Sequence, residues 1–231
     1  MKVFLHNTKE ETKKAATETL NQLFGETSQP ILFLSSGGSS LELLDGLSLG
    51  DHVTVSVLDE RYSNDPTINN FSQLMTHRIS AKFIDTRIKE GESIQELAQR
   101  FEKELREWKN ANPNGTIVIT QGMGSDGHTA GMMPYPESHP IFQNLFENSH
   151  RWVVGYDATK EKNEYPLRVT VTMPFLQEVV DHSIVYLTGE NKTEAFKRTL
   201  DSQGKLWETP ARIIREMKDV KIFTDIVYST I

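Results

Sequence analysis

The apolar positions of the chain fall into two kinds of pattern that take turns. Continuous runs at 31–34 and 117–119, and the largely β-branched stretches at 53–58 and 183–188, have the length and composition of buried strands. Between them the spacing becomes helical. Ala15, Ala16, Leu20, Leu23 and Phe24 follow a Thr8/Glu11 capping box and stop at Gly25. Ile94, Leu97, Ala98, Phe101, Leu105 and Trp108 share one helix face. Shorter helices are expected from Leu41, over 71–79, from Pro174 to Val180, over 191–200 and from Pro210. Residues 2–5 read as an edge strand, and 152–156, 168–172 and 221–224 as further strands, while 82–88 fits either a strand or an extended link. Pro134, Pro136 and Pro140 keep the segment after 134 from forming one long helix. Strands alternating with helices predict an α/β fold: a doubly wound, mostly parallel sheet with helices on both faces. No repeat or linker divides it, so residues 1–231 read as a single domain.

Composition narrows the function classes. The 231 residues are 37 % hydrophobic and 25 % charged, ordinary values for a globular domain. A formal charge of -7 argues against a nucleic-acid binder but leaves room for a local basic pocket. With no cysteine there is neither a disulfide framework nor thiolate chemistry. His6, His52, His77, His139, His150 and His182 lack metal-ligand spacing, so no metal is expected. No run approaches the ~20 apolar residues of a membrane helix, and the N-terminal apolar stretch is too short for a secretory signal. A cytoplasmic protein without membrane contact is expected, a monomer or small homo-oligomer.

Chemistry concentrates at the carboxyl ends of the strands, where α/β folds bind ligands. The strand at 117–119 runs into a loop with Gly122, Gly124, Gly127 and Gly131, holding Asp126 and His128 two residues apart. A neutral imidazole can take a proton from water, and a nearby carboxylate can fix its tautomer. The same loop formally matches G-x-G-x-x-G, but no long apolar helix follows, and the next strand-end acid, Asp157, lies about thirty residues on rather than the ~20 of a dinucleotide site. Ser35 to Ser40, with Gly37, Gly38, Ser39 and Ser40 opening a helix, offers amides and hydroxyls to an anion, phosphate above all. An ordinary turn explains that stretch about as well. Asp59-Glu60-Arg61 closes another strand: Arg61 could hold a phosphate or carboxylate and Asp59 a hydroxyl or water, against the plainer reading of a solvated loop. Lys192 opens a helix after a strand, and Arg168 precedes a strand core. Either alone could be an ordinary surface charge.

Taken in order, Ser36-Gly-Gly-Ser39, Asp59-Glu-Arg61, the Gly122–Thr129 loop with its D-G-H-T run, Arg168-Val-Thr-Val-Thr172 and Thr188-Gly-Glu-Asn-Lys192 resemble the 6-phosphogluconolactonase family, within the wider superfamily of glucosamine-6-phosphate deaminase/isomerase. The resemblance covers nearly the whole chain. It implies a Rossmann-like domain that hydrolyses 6-phosphogluconolactone to 6-phosphogluconate in the pentose phosphate pathway without a cofactor. By resemblance His128 is the general base, Asp126 its support, and Gly38, Ser39, Arg168 and Lys192 the phosphate ligands. The resemblance puts Arg61, as a substrate-binding residue, close to the charged or reacting end. The deaminase branch has Tyr where this chain has Arg61, and Glu where it has Met133. In that branch Asp59 would abstract a proton from C2. A non-catalytic sugar-phosphate binder is a third reading. The chain departs from the lactonase pattern in lacking the Pro after Ser40, in the Tyr62–Asn70 stretch and at Gly131-Met132-Met133.

Overall fold

The computed structural model describes residues 1–148 and 150–228. Its elements run β1 (Lys2–Leu5), α1 (Lys9–Gly25), β2 (Ile31–Ser35), β3 (Val53–Val57), β4 (Asp59–Arg61), α2 (Asn70–Leu74), β5 (Lys82–Phe83), α3 (Ile94–Ala111), β6 (Thr116–Gln121), α4 (His139–Phe146), β7 (Val153–Asp157), β8 (Leu167–Val171), β9 (His182–Leu187), α5 (Thr193–Leu200) and β10 (Asp219–Thr224). Seven strands form one sheet in the order β1-β10-β9-β6-β2-β3-β5, every pair parallel. The alternation of side chains along each strand divides the interior into two cores. Ile31, Phe33, Val55, Val118 and Tyr186 face α1, while Leu32, Leu34, Ile117, Ile119 and Val185 face α3, α4 and α5. The doubly wound α/β sheet expected from the pattern is therefore present, with helices on both faces. Among the described residues, no helix is long and apolar enough to cross a membrane.

Capping explains where the longer helices begin. Thr8 accepts the Glu11 amide at 3.1 Å, but the Glu11 carboxylate takes the Asn7 amide at 3.0 Å, so only half of the expected capping box forms. α3 has the whole box, with Ser93 and Glu96 each accepting the other's amide, at 3.3 and 2.8 Å. Several expected helices are tighter or shorter. Gly38–Gly46 and Pro210–Arg215 are 3-10 turns, Phe175–Val179 is a π-turn, and the helix expected over 71–79 ends at Leu74.

The largest departure is a second sheet. Asp59–Arg61, expected as a strand-end loop, is itself a strand, and it pairs antiparallel with β8, which pairs in turn with β7. Arg168 lies within β8, as the strand expected over 168–172 requires. The register sets Arg61 directly across from Arg168.

The seven-stranded sheet has its switch point between β2 and β6. The chain leaves β2 toward β3 and leaves β6 toward β9, so the loops beyond these two neighbours diverge and open a crevice. Two bonds stitch its floor: the Ser36 amide donates to Thr120 Oγ1, and Ser36 Oγ donates to the Thr120 carbonyl, both at 2.9 Å.

Candidate active site

The crevice is an open cleft of about 390 Å³ at the carboxyl ends of β2, β3, β6 and β9, walled on one side by the small sheet. Of the residues picked from the sequence, Gly37, Gly38, Ser39, Asp59, Arg61, His128, Arg168 and Lys192 line it. Ser40 does not. It is fully buried in the 3-10 turn beside Leu43 and Leu44, and its hydroxyl has no partner there. The cleft lining therefore lends no support to the expected phosphate contact at Ser40.

Asp126 and His128 meet. His128 Nδ1 lies 2.7 Å from Asp126 Oδ1, and the same oxygen accepts the His128 amide at 3.1 Å. An ionised carboxylate only accepts, so Nδ1 carries the hydrogen and Nε2 keeps a free lone pair. Burial raises the Asp126 pKa, but the His128 hydrogen bond, its charge and the backbone amides outweigh it and hold the carboxyl below its ordinary value. The pair exists because position 124 is glycine: a Cβ there would sit 2.2 Å from His128 Nδ1 and 2.5 Å from Asp126 Oδ1. The rest of the loop is held from several sides. Thr129 Oγ1 donates to the Gly122 carbonyl at 2.8 Å, Tyr156 Oη to the Gly131 carbonyl at 2.6 Å, and Thr170 Oγ1 to the Ala130 carbonyl. Ala130 adopts φ 49° and Gly131 φ 71°. A Cβ at Gly131 would also meet Asp59 Oδ2 at 2.7 Å, so this turn brings the loop against the small sheet.

The opposite wall is cationic. Arg168 is buried and fixed, its Nε donating to the Tyr165 carbonyl at 2.8 Å, Nη2 to Asn163 Oδ1 at 2.8 Å and Nη1 to Asp59 Oδ2 at 3.4 Å. Asp59 is buried too, so the pair is an internal ion pair. Arg61, facing Arg168 across the strands, lies over the Tyr165 ring at 4.9 Å and leaves its Nε without a partner. Like charges directly opposite on a sheet are unfavourable, and one aspartate offsets two guanidiniums incompletely. Lys192 ends the turn Glu190–Lys192 ahead of α5. Burial holds its pKa below the ordinary lysine value, Asp225 and Glu42 pulling it up and Lys9 pushing it further down. These groups suit a small, multiply charged anion. Among the described residues no group of three or more His, Asp or Glu is placed to hold a metal.

Among the cleft residues to which the sequence assigns no role are Asn70, Asn163 and Tyr165. The last two come from the loop between β7 and β8, where a polar stretch gives no local signal. Asn70 begins α2 and is held by Glu60 and Asp59, ten and eleven residues earlier. Glu60 was noticed only as one of three charges, yet it is the residue that holds Asn70. Its Oε1 accepts the Asn70 amide at 2.5 Å, and its Oε2 accepts the Phe71 amide at 3.0 Å and Thr86 Oγ1 at 2.7 Å.

A family model described as glucosamine-6-phosphate isomerases/6-phosphogluconolactonase matches residues 6–223. A curated relative from Pseudomonas aeruginosa, named 6-phosphogluconolactonase, is 28 % identical over 138 residues, 54 % of this chain and 56 % of the relative. The chain matches about half or less of the length of its curated relatives. Among solved structures, 6-phosphogluconolactonase from Leishmania guyanensis aligns with a TM-score of 0.75 at 21 % identity, covering 96 % of this chain and 95 % of that one. A monomeric glucosamine-6-phosphate deaminase aligns equally well, with a TM-score of 0.75 at 17 % identity and 97 % of each chain covered. The shared fold therefore does not choose between the two chemistries.

Proposed function

The chain belongs to the glucosamine-6-phosphate isomerase/6-phosphogluconolactonase family, and within it we propose that the protein hydrolyses 6-phosphogluconolactone to 6-phosphogluconate in the cytoplasm. The observation that carries this reading is the 2.7 Å contact between His128 Nδ1 and Asp126, which leaves Nε2 free as a base at the cleft. Nε2 takes a proton from water as the water oxygen attacks the lactone carbonyl. The carbonyl oxygen becomes an oxyanion, and Arg61 offers it positive charge. The intermediate collapses with cleavage of the ring C–O bond, and the imidazolium returns its proton to the departing ring oxygen. Asp126 stabilises the imidazolium throughout. The Gly37–Gly38–Ser39 turn, Arg168 and Lys192 take the phosphate, and that remote grip positions the carbonyl. Asp59 is engaged with Arg168, so in this reading it orients the guanidinium and does not touch the reacting atoms.

Position 133 favours the lactonase over the deaminase. Where the deaminase branch carries a Glu, this chain has Met133, which is completely buried. It offers no acid for opening a sugar ring.

The test is hydrolysis of freshly generated 6-phosphogluconolactone, corrected for spontaneous opening, beside ammonia release from glucosamine 6-phosphate. Wild type should accelerate the first and not the second. His128→Ala should cut kcat by about 100-fold or more. Ammonia release, or an unchanged rate in His128→Ala, would refute the assignment.

A further inference from the structure

We propose that Asn70 recognises a hydroxyl group of the bound sugar phosphate, its carboxamide oxygen acting as acceptor, and that it makes the cleft prefer a polyhydroxylated ligand over a bare phosphate. This rests on reading the cleft as a sugar-phosphate site. Asn70 is 1 % exposed and lines the cleft. Its Nδ2 donates to the Asp59 carbonyl at 2.9 Å, which fixes the direction of the amide. The carboxamide lies against the glycine turn after β2, where a Cβ at Gly37 would sit 2.6 Å from Oδ1 and 2.8 Å from Nδ2. That oxygen has no hydrogen-bond partner among the described residues. A buried carbonyl oxygen left unpaired is costly and uncommon, and it calls for an explanation.

The side chain is also held for the task. Glu60 accepts the Asn70 and Phe71 amides and so fixes the first turn of α2, while Asn69 caps the same helix through Ser72 at 2.8 Å. A group whose backbone and amide are both fixed presents its free atom in one direction. Donor chemistry then selects the partner. A phosphate dianion and a lactone carbonyl only accept hydrogen bonds, so of the groups on such a ligand the hydroxyls alone can donate to Asn70 Oδ1.

The experiment is calorimetric binding of 6-phosphogluconate and of inorganic phosphate to wild type, Asn70→Ala and, should that variant fold poorly, Asn70→Ser. We expect 6-phosphogluconate to bind wild type more tightly than phosphate does. Asn70→Ala or Asn70→Ser should weaken 6-phosphogluconate by about tenfold or more and leave phosphate within about twofold. Equal weakening of both ligands would mean that Asn70 only shapes the glycine turn, and no weakening would mean that its oxygen stays unused. Either outcome overturns the inference, as does a wild type that binds the two ligands equally. Lactone turnover by wild type, measured separately, reports on the proposed reaction whatever the binding data show.

Discussion

Replacing Gly124 with alanine tests the His128–Asp126 pair without touching either residue. The added methyl would lie 2.2 Å from His128 Nδ1 and 2.5 Å from Asp126 Oδ1. Carbon and nitrogen in contact settle near ~3.5 Å, so the imidazole must retreat by roughly 1 Å. Both clashing atoms are side-chain ends and Gly124 is not among the glycines with positive φ, so the backbone tolerates alanine and the site bears the cost. A hydrogen bond to a charged group contributes about 1.5–3 kcal/mol, which converts to roughly a 10- to 150-fold loss in kcat/KM. A displacement of ~1 Å at a reacting group is of the same consequence. Gly122→Ala is the control in the same loop, because its methyl would meet only Ser40 Oγ, at 3.8 Å. Lactone hydrolysis and thermal melting would be measured on both variants. The expected result is a melting temperature near wild type for each, with activity lost in Gly124→Ala alone. Full activity in a folded Gly124→Ala would refute the claim that the reaction depends on this geometry, and equal losses in both variants would show that the loop is merely intolerant of bulk.

Two further predictions rest on groups that burial has shifted. Lys192→Ala should raise KM for the lactone by about tenfold or more with little change in kcat, because a phosphate grip made alike in ground and transition states is uniform binding; a fall in kcat at constant KM would move Lys192 to the reacting end. Glu60 is pushed up from 4.5 to about 7 by burial, with the Thr86, Phe71 and Asn70 hydrogen bonds opposing and the Asp59 charge adding to the rise. The folded state therefore holds a proton that the unfolded chain has released, and the resulting stabilisation is complete below the unfolded value and lost as pH rises through about 7. Urea unfolding at pH 5 and pH 8 should differ by up to about 3 kcal/mol, and Glu60→Gln should flatten the profile; an equally steep profile in Glu60→Gln would assign the slope to other groups.

The large sheet was legible because parallel strands buried on both faces must be apolar throughout. Ile31 to Leu34 and Ile117 to Ile119 satisfy two cores at once, and no helix pattern imitates them at that length. Of the small sheet, β7 and β8 were legible as strands but β4 was not, for the converse reason. Asp59–Arg61 is three charged residues long and has no apolar period; its strand conformation comes from pairing with β8 more than a hundred residues away. The Pro-rich segment hid α4 similarly, since Pro140 sits in the first turn of a short helix buried mainly through Phe142 and Phe146. In the turn after β2 the hydroxyl-rich composition pointed to the right place, but composition does not say which hydroxyl faces inward. The 3-10 geometry sends Ser40 into the core.

The site itself shows most clearly where local rules are broken. Arg61 stands opposite Arg168. Lys192 is partly desolvated and lies close enough to Lys9 to be disfavoured by its charge. Among the described residues, the Arg61 Nε and Asn70 Oδ1 lie buried and unpartnered. Each is a cost to the empty protein, and each has the sign that a phosphorylated polyol would relieve: negative charge for the three cations and a hydroxyl hydrogen for the carboxamide oxygen. A sequence lists these residues but not their unmet partners, because what is unmet depends on what the fold brings near. Folded proteins that keep such costs together in one cleft generally do so for a ligand. Here the costs are of different kinds, electrostatic, solvational and hydrogen-bonding, and one class of molecule would answer all of them.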